Sequence, residues 1–215
     1  MGAGRTPGGC TALEEDANSA EAGTTPASRE EAAHIIAEND VAAFPRLRGV
    51  PGHQLEPVPW ARVVVLAREA TEAALGQLGR SPAALVVYHR FKLQVQQEYV
   101  GIADYVQVRV FGFDTACASD GRKEVVVPAD LGTREPMVVW RPNDFPYHLD
   151  PDVEHHNVWS TRPLPEAELH KVVQRNRQGY EWVAFINPTP IQTIPSVWHA
   201  HIISRPLRQG GHANG

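Results

Sequence analysis

The sequence has little of what marks several common classes of protein. Only two cysteines, Cys10 and Cys117, are present among 215 residues, which excludes the disulfide framework of a small secreted domain. The first residues lack the basic start and apolar run of a secretory signal, and nowhere do about 18 apolar residues follow one another, as a membrane span requires. These absences predict a cytoplasmic protein with no membrane partner.

An excess of basic residues is also missing. The chain has 20 lysines and arginines against 25 aspartates and glutamates, a net charge of -5, so it has no overall attraction for nucleic acid. Glycine-rich phosphate loops, G-x-S-x-G turns and C-x-x-C pairs are absent too, which removes several common enzyme classes, and nothing in the sequence calls for a cofactor. The composition leaves a small polar or nucleotide ligand open as a partner.

The composition divides the chain into two tails and one folded part. Residues 1–28 are rich in Gly, Ala, Thr, Ser and Pro and have almost no large apolar side chains, so we predict a disordered tail there and another over residues 208–215. Hydrophobic residues make up 42% of the chain, enough for one good-sized core. We predict a single domain over residues 29–207, helical over residues 29–118 and sheet-rich over residues 119–207.

Apolar periodicity and capping residues predict the helices of the first half. A short helix is expected over residues 29–39, and apolar residues at helical spacing predict a second helix over residues 60–78. Ser81 followed by Pro82 is typical of a helix start, and a long helix is predicted from there to about Ile102. The stretch VQVRVF that follows alternates with period two, so both strand and helix are open for it.

The second half changes to a pattern of strands. Apolar and β-branched runs predict four strands, at residues 137–140, 153–159, 182–186 and 196–204. One helix is predicted between the second and third strands, beginning at Pro165 and ending at Gly179. Helices followed by a mostly antiparallel sheet with one crossing helix indicate the α+β class, with the N-terminal helices packed on the sheet.

The last predicted strand carries two histidines, in the run SVWHAH. Side chains two residues apart share a face of a strand, so His199 and His201 point the same way. We expect the alternate apolar residues, Trp198, Ala200 and Ile202, in the core, and the imidazoles at a cleft or on the far side of the sheet. Three roles are open. The histidines are structural, or they bind zinc, or one of them is a nucleophile that attacks phosphorus. No tight cluster of further zinc ligands is visible in the sequence. No metal site is predicted.

Segments around this strand resemble the histidine-triad family. SVWHAHIISRP is similar to the end of its motif, and NDFPYHLDPDVEHHNVWSTRP and FINP are similar to the segments that precede its histidine strand. The resemblance implies a histidine-triad-like second half, with His201 as the catalytic nucleophile and His199 as the supporting catalytic histidine. It also implies ligand-binding roles for Asn143, Phe145, Tyr147, His155 and Asn187. For His155 a structural role is equally open.

One position departs from the triad. Where the triad motif has its third histidine, this chain has Ile203. An isoleucine side chain neither donates a hydrogen bond to a phosphate nor carries charge. Loss of a donor near a developing negative charge commonly raises the barrier by a few kcal/mol. The departure argues against catalysis of the usual triad kind and leaves binding without chemistry as an alternative.

A wider set of motifs resembles the N-acetylglucosamine-induced proteins, a family with no established activity. The likeness extends from about Phe44 to Arg205 and includes LGRSPAALVVYHRF, NDFPY, HHNVWST, FINP and SVWHAH. It leaves two hypotheses, a hydrolase or transferase that acts at the phosphate of a nucleotide or nucleotide sugar, and a non-catalytic sensor or regulatory module linked to amino-sugar metabolism. Because histidine-triad proteins often dimerise, a homodimer is an option that the resemblance allows.

Overall fold

The structure, a computed structural model, describes residues 25–207, with helices first and a sheet second. The first half contains the helices α1 (Arg29–Glu38), α2 (Trp60–Glu69), α3 (Glu72–Leu75), α4 (Pro82–Glu98) and α5 (Ile102–Phe111), with a 3₁₀ helix at Val41–Leu47. The second half contains β1 (Thr115–Cys117), β2 (Lys123–Val125), β3 (Val138–Pro142), β4 (Glu154–Ser160), α6 (Glu166–Asn176), β5 (Tyr180–Phe185), a 3₁₀ turn at Thr189–Ile191, and β6 (Trp198–Pro206). The predicted α+β class is confirmed.

The fold begins slightly earlier than the sequence suggested. Ser28 and Glu31 form a capping box, in which each side chain accepts the backbone N–H of the other residue at the start of α1. Ala27 is buried and donates its N–H to the carbonyl of Arg46. Ala27 and Ser28 therefore belong to the fold, whereas residues 1–24 and 208–215 of the two predicted tails lie outside the described residues.

Two of the predicted helices are each broken once. The helix predicted over residues 60–78 stops at Ala70, which adopts a left-handed backbone with φ of 51°, and α3 restarts after Thr71, whose side chain accepts a backbone N–H. The long helix after Ser81 is interrupted at Gly101, which is extended with φ of -149°, and VQVRVF is helical within α5. Apolar residues continue at helical spacing across both breaks, so periodicity alone did not reveal them.

Strands β3 to β6 form one antiparallel sheet in the order β3-β4-β6-β5. The central strands β4 and β6 pair so that Asn157 is opposite His201 and Trp159 is opposite His199. Directly paired residues share a face, so these four side chains lie on one face of the sheet. All four predicted strands are present, with shifts of one or two residues at their ends, whereas the β1–β2 hairpin was not predicted.

Helices cover both faces of this sheet. Helix α6 packs on one face through Leu169 and Val173. The other face is covered at one end by α2 and α3, around Ile203, and at the other end by α5, around Val197. No helix within residues 25–207 has the length and apolar character that crossing a membrane demands.

This double covering corrects one expectation about the histidine strand. We expected Trp198, Ala200 and Ile202, which alternate with the histidines, to be the residues of this strand that face the core. In the structure His199, His201 and Ile203 are buried as well, because α2, α3 and α5 cover their face of the sheet. The imidazoles are therefore buried side chains, and they lie at the wall of a cavity, in agreement with the cleft that we expected beside them.

Candidate functional site

A cavity of about 500 Å³ lies against the sheet face that carries the two histidines. A cavity of this size accommodates a small-molecule ligand. Six of the seven predicted site residues border it, namely Asn143, Phe145, Tyr147, Asn187, His199 and His201. The seventh, His155, does not border it.

His201 is held at both ring nitrogens. Its Nδ1 lies 2.9 Å from Nε2 of His155, and its Nε2 lies 3.1 Å from the side-chain amide nitrogen of Asn187. The ring stacks on Phe185 with 5.3 Å between centroids, and Tyr147 packs beside it at 5.7 Å. Because only 6% of the residue is exposed, His201 is a tightly surrounded part of the cavity wall.

His155 lies behind this wall and connects it to the NDFPY turn. The backbone N–H of Tyr147 donates to its Nδ1 over 3.2 Å, and the amide nitrogen of Asn143 lies 3.1 Å from its Nε2. Asn143 also accepts the backbone N–H of Phe145 and donates to the side-chain oxygen of Asn157. Of the two roles left open for His155, this geometry favours the structural one.

His199 is held at one nitrogen only. Its Nδ1 donates to the carbonyl of Val197 over 2.9 Å, and its ring stacks on Trp159 with 4.6 Å between centroids. Its Nε2 has no partner within the described part of the chain. The ring meets that of His201 edge to face at 5.3 Å, so the two imidazoles form adjacent parts of one wall.

Burial keeps these imidazoles neutral. Desolvation lowers the pKa of His155 and of His201 well below the usual 6.5. Arg80 and a neighbouring histidine lower both pKa values further. Burial also lowers the pKa of His199, against the opposing effect of its backbone hydrogen bond. Burial raises the pKa of the Tyr147 phenol, which therefore stays protonated. Near neutral pH the wall presents uncharged rings.

The positive charge of the cavity comes from arginines. Among the described residues, one carboxylate borders the cavity, that of Asp144, against four arginines, namely Arg29, Arg80, Arg109 and Arg141. Arg141 lies 3.6 Å from Asp144, whereas neither Arg80 nor Arg109 has a carboxylate partner among residues 25–207. The cavity is therefore cationic in a chain whose net charge is -5.

Arg80 is held beside the histidines by the NDFPY turn. Its Nε donates to the carbonyl of Phe145 over 2.8 Å, and its guanidinium carbon lies 4.5 Å from the ring centre of Tyr88 and 5.8 Å from that of Tyr147. These contacts fix the guanidinium but leave its other N–H groups without an acceptor among the residues described. Arg80 thus brings an anchored positive charge with unused donors to the cavity.

Aromatic side chains form a further wall. Phe145 packs against Tyr88 at 4.9 Å and against Phe91 at 4.6 Å between ring centroids, and Phe91 meets Tyr105 at 5.2 Å. The position of Phe145 is fixed by the bond from its backbone N–H to Asn143. A planar apolar surface of this kind suits the uncharged ring of a ligand whose anionic group lies at the arginines.

The third position of the triad pattern lies away from the cavity. Ile203 is fully buried in the apolar cluster that includes Phe185 and Leu66, and it does not border the cavity. Within residues 25–207 no three His, Cys, Asp or Glu side chains are grouped in a way that would hold a metal ion. The chemistry that the site offers is therefore arginine charge, neutral imidazoles and aromatic surface.

Several residues of this site were missed by sequence reasoning. Arg80, Arg109, Asn157 and Trp159 all border the cavity, and none was predicted to bind a ligand. Arg80 stands directly before a helix start, in the motif LGRSP, which gives no sign of its contact with a turn 65 residues away. Asn157 and Trp159 are placed beside the histidines only by the register of β4 with β6.

Fold and site together define an α+β protein with a cationic, histidine-walled cavity on one face of its antiparallel sheet. Residues 60–205 match the family described as protein of unknown function (DUF3605). The chain belongs to this DUF3605 family. The matched segment contains all seven predicted site residues, together with Arg80 and Arg109.

Two further proteins are similar to this chain. N-acetylglucosamine-induced protein 1 of Candida albicans (strain SC5314 / ATCC MYA-2876) is 22% identical over 176 residues, which are 69% of this chain and 68% of that protein. The solved structure "Crystal Structure of HTC1" is 20% identical, with a TM-score of 0.49, and covers 72% of this chain and 89% of that one. The first supports the predicted likeness to N-acetylglucosamine-induced proteins, whereas the histidine-triad-like second half stays a prediction.

Proposed function

We propose that the protein binds a small phosphate-bearing molecule in this cavity. The observation that carries the proposal is Arg80, whose guanidinium is anchored by Tyr88 and by the Phe145 carbonyl and has no carboxylate partner in the described chain. An anionic ligand would supply that partner through charge-assisted hydrogen bonds, and Arg109 and Arg141 would add to the attraction. The aromatic wall would cover the uncharged part of the ligand.

Sugar phosphates and nucleotides form the ligand class that fits this combination. Both carry an ionised phosphate and a ring of a size that a cavity of about 500 Å³ accommodates. Because one relative is named as N-acetylglucosamine-induced, phosphorylated amino sugars belong among the ligands to test, and the proposal includes a sensor or regulatory role linked to amino-sugar metabolism. The proposed binding function requires no nucleic acid, membrane or cofactor. The homodimer stays a prediction.

Hydrolysis or transfer at the ligand's phosphate, with His201 as nucleophile, is a second candidate function. The position of His201 at the cavity wall favours it. Against it, both nitrogens of His201 lie within hydrogen-bond distance of protein groups, and Ile203 supplies no donor. Release of nucleoside monophosphate from an adenosine phosphoramidate or a sugar nucleotide, abolished by His201→Ala, would establish this second function.

Replacing Arg80 tests the binding site. We expect Arg80→Gln to weaken the binding of pyrophosphate at least about tenfold, because a hydrogen bond to a charged group contributes about 1.5–3 kcal/mol. Isothermal titration calorimetry of the parent and the variant measures the difference.

The matched control is Arg90→Gln, which removes the same charge from an exposed position of α4 that does not border the cavity. Its affinity for pyrophosphate should equal that of the parent. Thermal unfolding followed by circular dichroism checks that Arg80→Gln is folded. Equal affinity in the parent and a folded Arg80→Gln would contradict the proposed site.

A further inference from the structure

A backbone hydrogen bond determines which nitrogen of His155 carries the proton. The N–H of Tyr147 is directed at Nδ1 of His155 over 3.2 Å, and a backbone N–H can only donate. In neutral His155 the proton is therefore on Nε2, which donates a hydrogen bond to Nδ1 of His201 over 2.9 Å. The amide nitrogen of Asn143, 3.1 Å from the same Nε2, then donates to the side-chain oxygen of Asn157 rather than to this ring. His201, which is neutral as well, then carries its own proton on Nε2.

Asn187 completes this chain of hydrogen bonds. The Nε2–H of His201 needs an acceptor, and the side-chain amide of Asn187 lies 3.1 Å away. The amide oxygen of Asn187 is buried and has no partner among the described residues. Rotation of the amide by 180° about its last bond brings that oxygen to the Nε2–H and satisfies both groups. His201 is then a donor at Nε2 and an acceptor at Nδ1, with no lone pair free for a ligand.

His199 has the opposite arrangement. The carbonyl of Val197 can only accept, so the proton of His199 is on Nδ1, which donates to it over 2.9 Å. Because burial keeps the ring neutral, its Nε2 has a lone pair. No residue in the described part of the chain donates to this nitrogen, and His199 borders the cavity. Stacking on Trp159 holds the ring in place.

We propose that His199, rather than His201, is the histidine that contacts the ligand, and that its Nε2 accepts a hydrogen bond from a hydroxyl group of a phosphorylated sugar. This inference rests on the proposed function and specifies the polar group that the ligand carries besides its phosphate. A lone pair repels a fully ionised oxygen, so the phosphate lies at the arginines and a neutral hydroxyl lies at His199. His155 and His201 are positioning residues that support the wall.

Long-range ¹H–¹⁵N correlation spectra of the ligand-free protein test the protonation pattern. We expect a neutral ring protonated at Nδ1 for His199, and neutral rings protonated at Nε2 for His155 and His201. The spectrum of His199→Phe identifies the signals of His199 by their loss. A proton on Nε2 of His199, or on Nδ1 of His201, would overturn the inference.

Calorimetry with two probes tests the contact with the ligand. His199→Phe keeps a flat ring against Trp159 but has no acceptor. We expect it to weaken the binding of ribose 5-phosphate at least about tenfold and to leave pyrophosphate, which has no sugar hydroxyl, within about twofold of the parent. His199→Gln, whose amide oxygen replaces the acceptor, should recover part of the lost affinity. His170→Phe on α6, at the opposite face of the sheet, is the control and should change neither affinity.

The outcomes separate this inference from the proposed function. An equal loss of both probes in His199→Phe, or an unchanged affinity for ribose 5-phosphate, would overturn the role of His199 while the anion site stands. If the parent binds pyrophosphate but not ribose 5-phosphate, the role of His199 is also overturned and the anion site stands. If the parent binds neither probe, the anion site fails, and the proposed contact fails with it.

Discussion

At the scale of single residues, position 203 shows how packing limits what the histidine strand can do. Ile203 stands where the resemblance to the triad calls for a third histidine. Its side chain is fully buried with Phe185 and Leu66, under the helices that cover this end of β6. A polar residue at this position would have no access to the cavity. The departure from the triad pattern therefore has a structural reason as well as a chemical consequence.

Ile203→His, which restores the missing histidine, should destabilise the fold rather than create an active site. We expect a loss on the order of 3 kcal/mol or more, because the change buries an imidazole without a partner and disrupts apolar contacts. Urea denaturation followed by circular dichroism measures it. Ile203→Val, which only removes a methylene, should cost about 0.5–1.5 kcal/mol. An Ile203→His protein as stable as Ile203→Val would contradict the described packing.

At the scale of elements, the central strands β4 and β6 carry four buried histidines. His155 and His156 lie on β4, and His199 and His201 lie on β6. Burial is the largest cause that lowers the pKa of each. In the unfolded chain the same side chains are solvated and take up protons below about pH 6.5. This pair of strands therefore couples the stability of the fold to pH.

The free energy of unfolding should decrease as the pH falls below about 6.5. In that range the unfolded chain binds more protons than the folded chain, so stability rises with pH and levels off above the unfolded pKa. Urea denaturation between about pH 5 and about pH 8 measures the slope. His201→Phe should reduce the slope, and His170→Phe, whose side chain is 47% exposed, should retain it. A stability that does not change with pH over this range would refute the coupling.

At the scale of the whole molecule, most of the helices pack against the same sheet. Helices α2 and α3 pack with Phe185 and Ile203, α5 packs around Val197, and α6 covers the opposite face. The predicted single domain over residues 29–207 requires that these clusters form and melt together. A helical part that unfolded independently of the sheet would instead be a domain of its own.

One cooperative unfolding transition is expected. Of the five tryptophans, four lie on the sheet strands and one, Trp60, lies on α2. In Trp60→Phe, fluorescence therefore reports the sheet, while far-ultraviolet circular dichroism reports mainly the helices. Both signals should give the same urea midpoint, because the helices bury their apolar faces on the sheet. Two separate midpoints would show that residues 29–118 and 119–207 are independent units.

The sequence by itself determined the α+β class, the order of the elements and the segments that form the site. Hydrophobic periods of 3.6 residues indicate helices and periods of 2 indicate strands, and Ser, Pro and Gly mark where helices begin and end. These signals act over a few neighbouring residues, so they can be interpreted without coordinates. Six of the seven residues chosen from the NDFPY, FINP and SVWHAH motifs and their surroundings border the cavity. The helix breaks at Ala70 and Gly101 were not predicted, because apolar residues continue at helical spacing across them.

Only the tertiary structure decided which groups of those motifs are available to a ligand. The covering of the histidine face, the anchoring of Arg80 by a distant turn and the hydrogen bond between His155 and His201 all join residues far apart in the chain. Desolvation and hydrogen-bond partners determine where a histidine carries its proton, and both depend on distances in space rather than on spacing in sequence. For that reason the sequence favoured His201 as the active histidine, whereas the geometry points to His199.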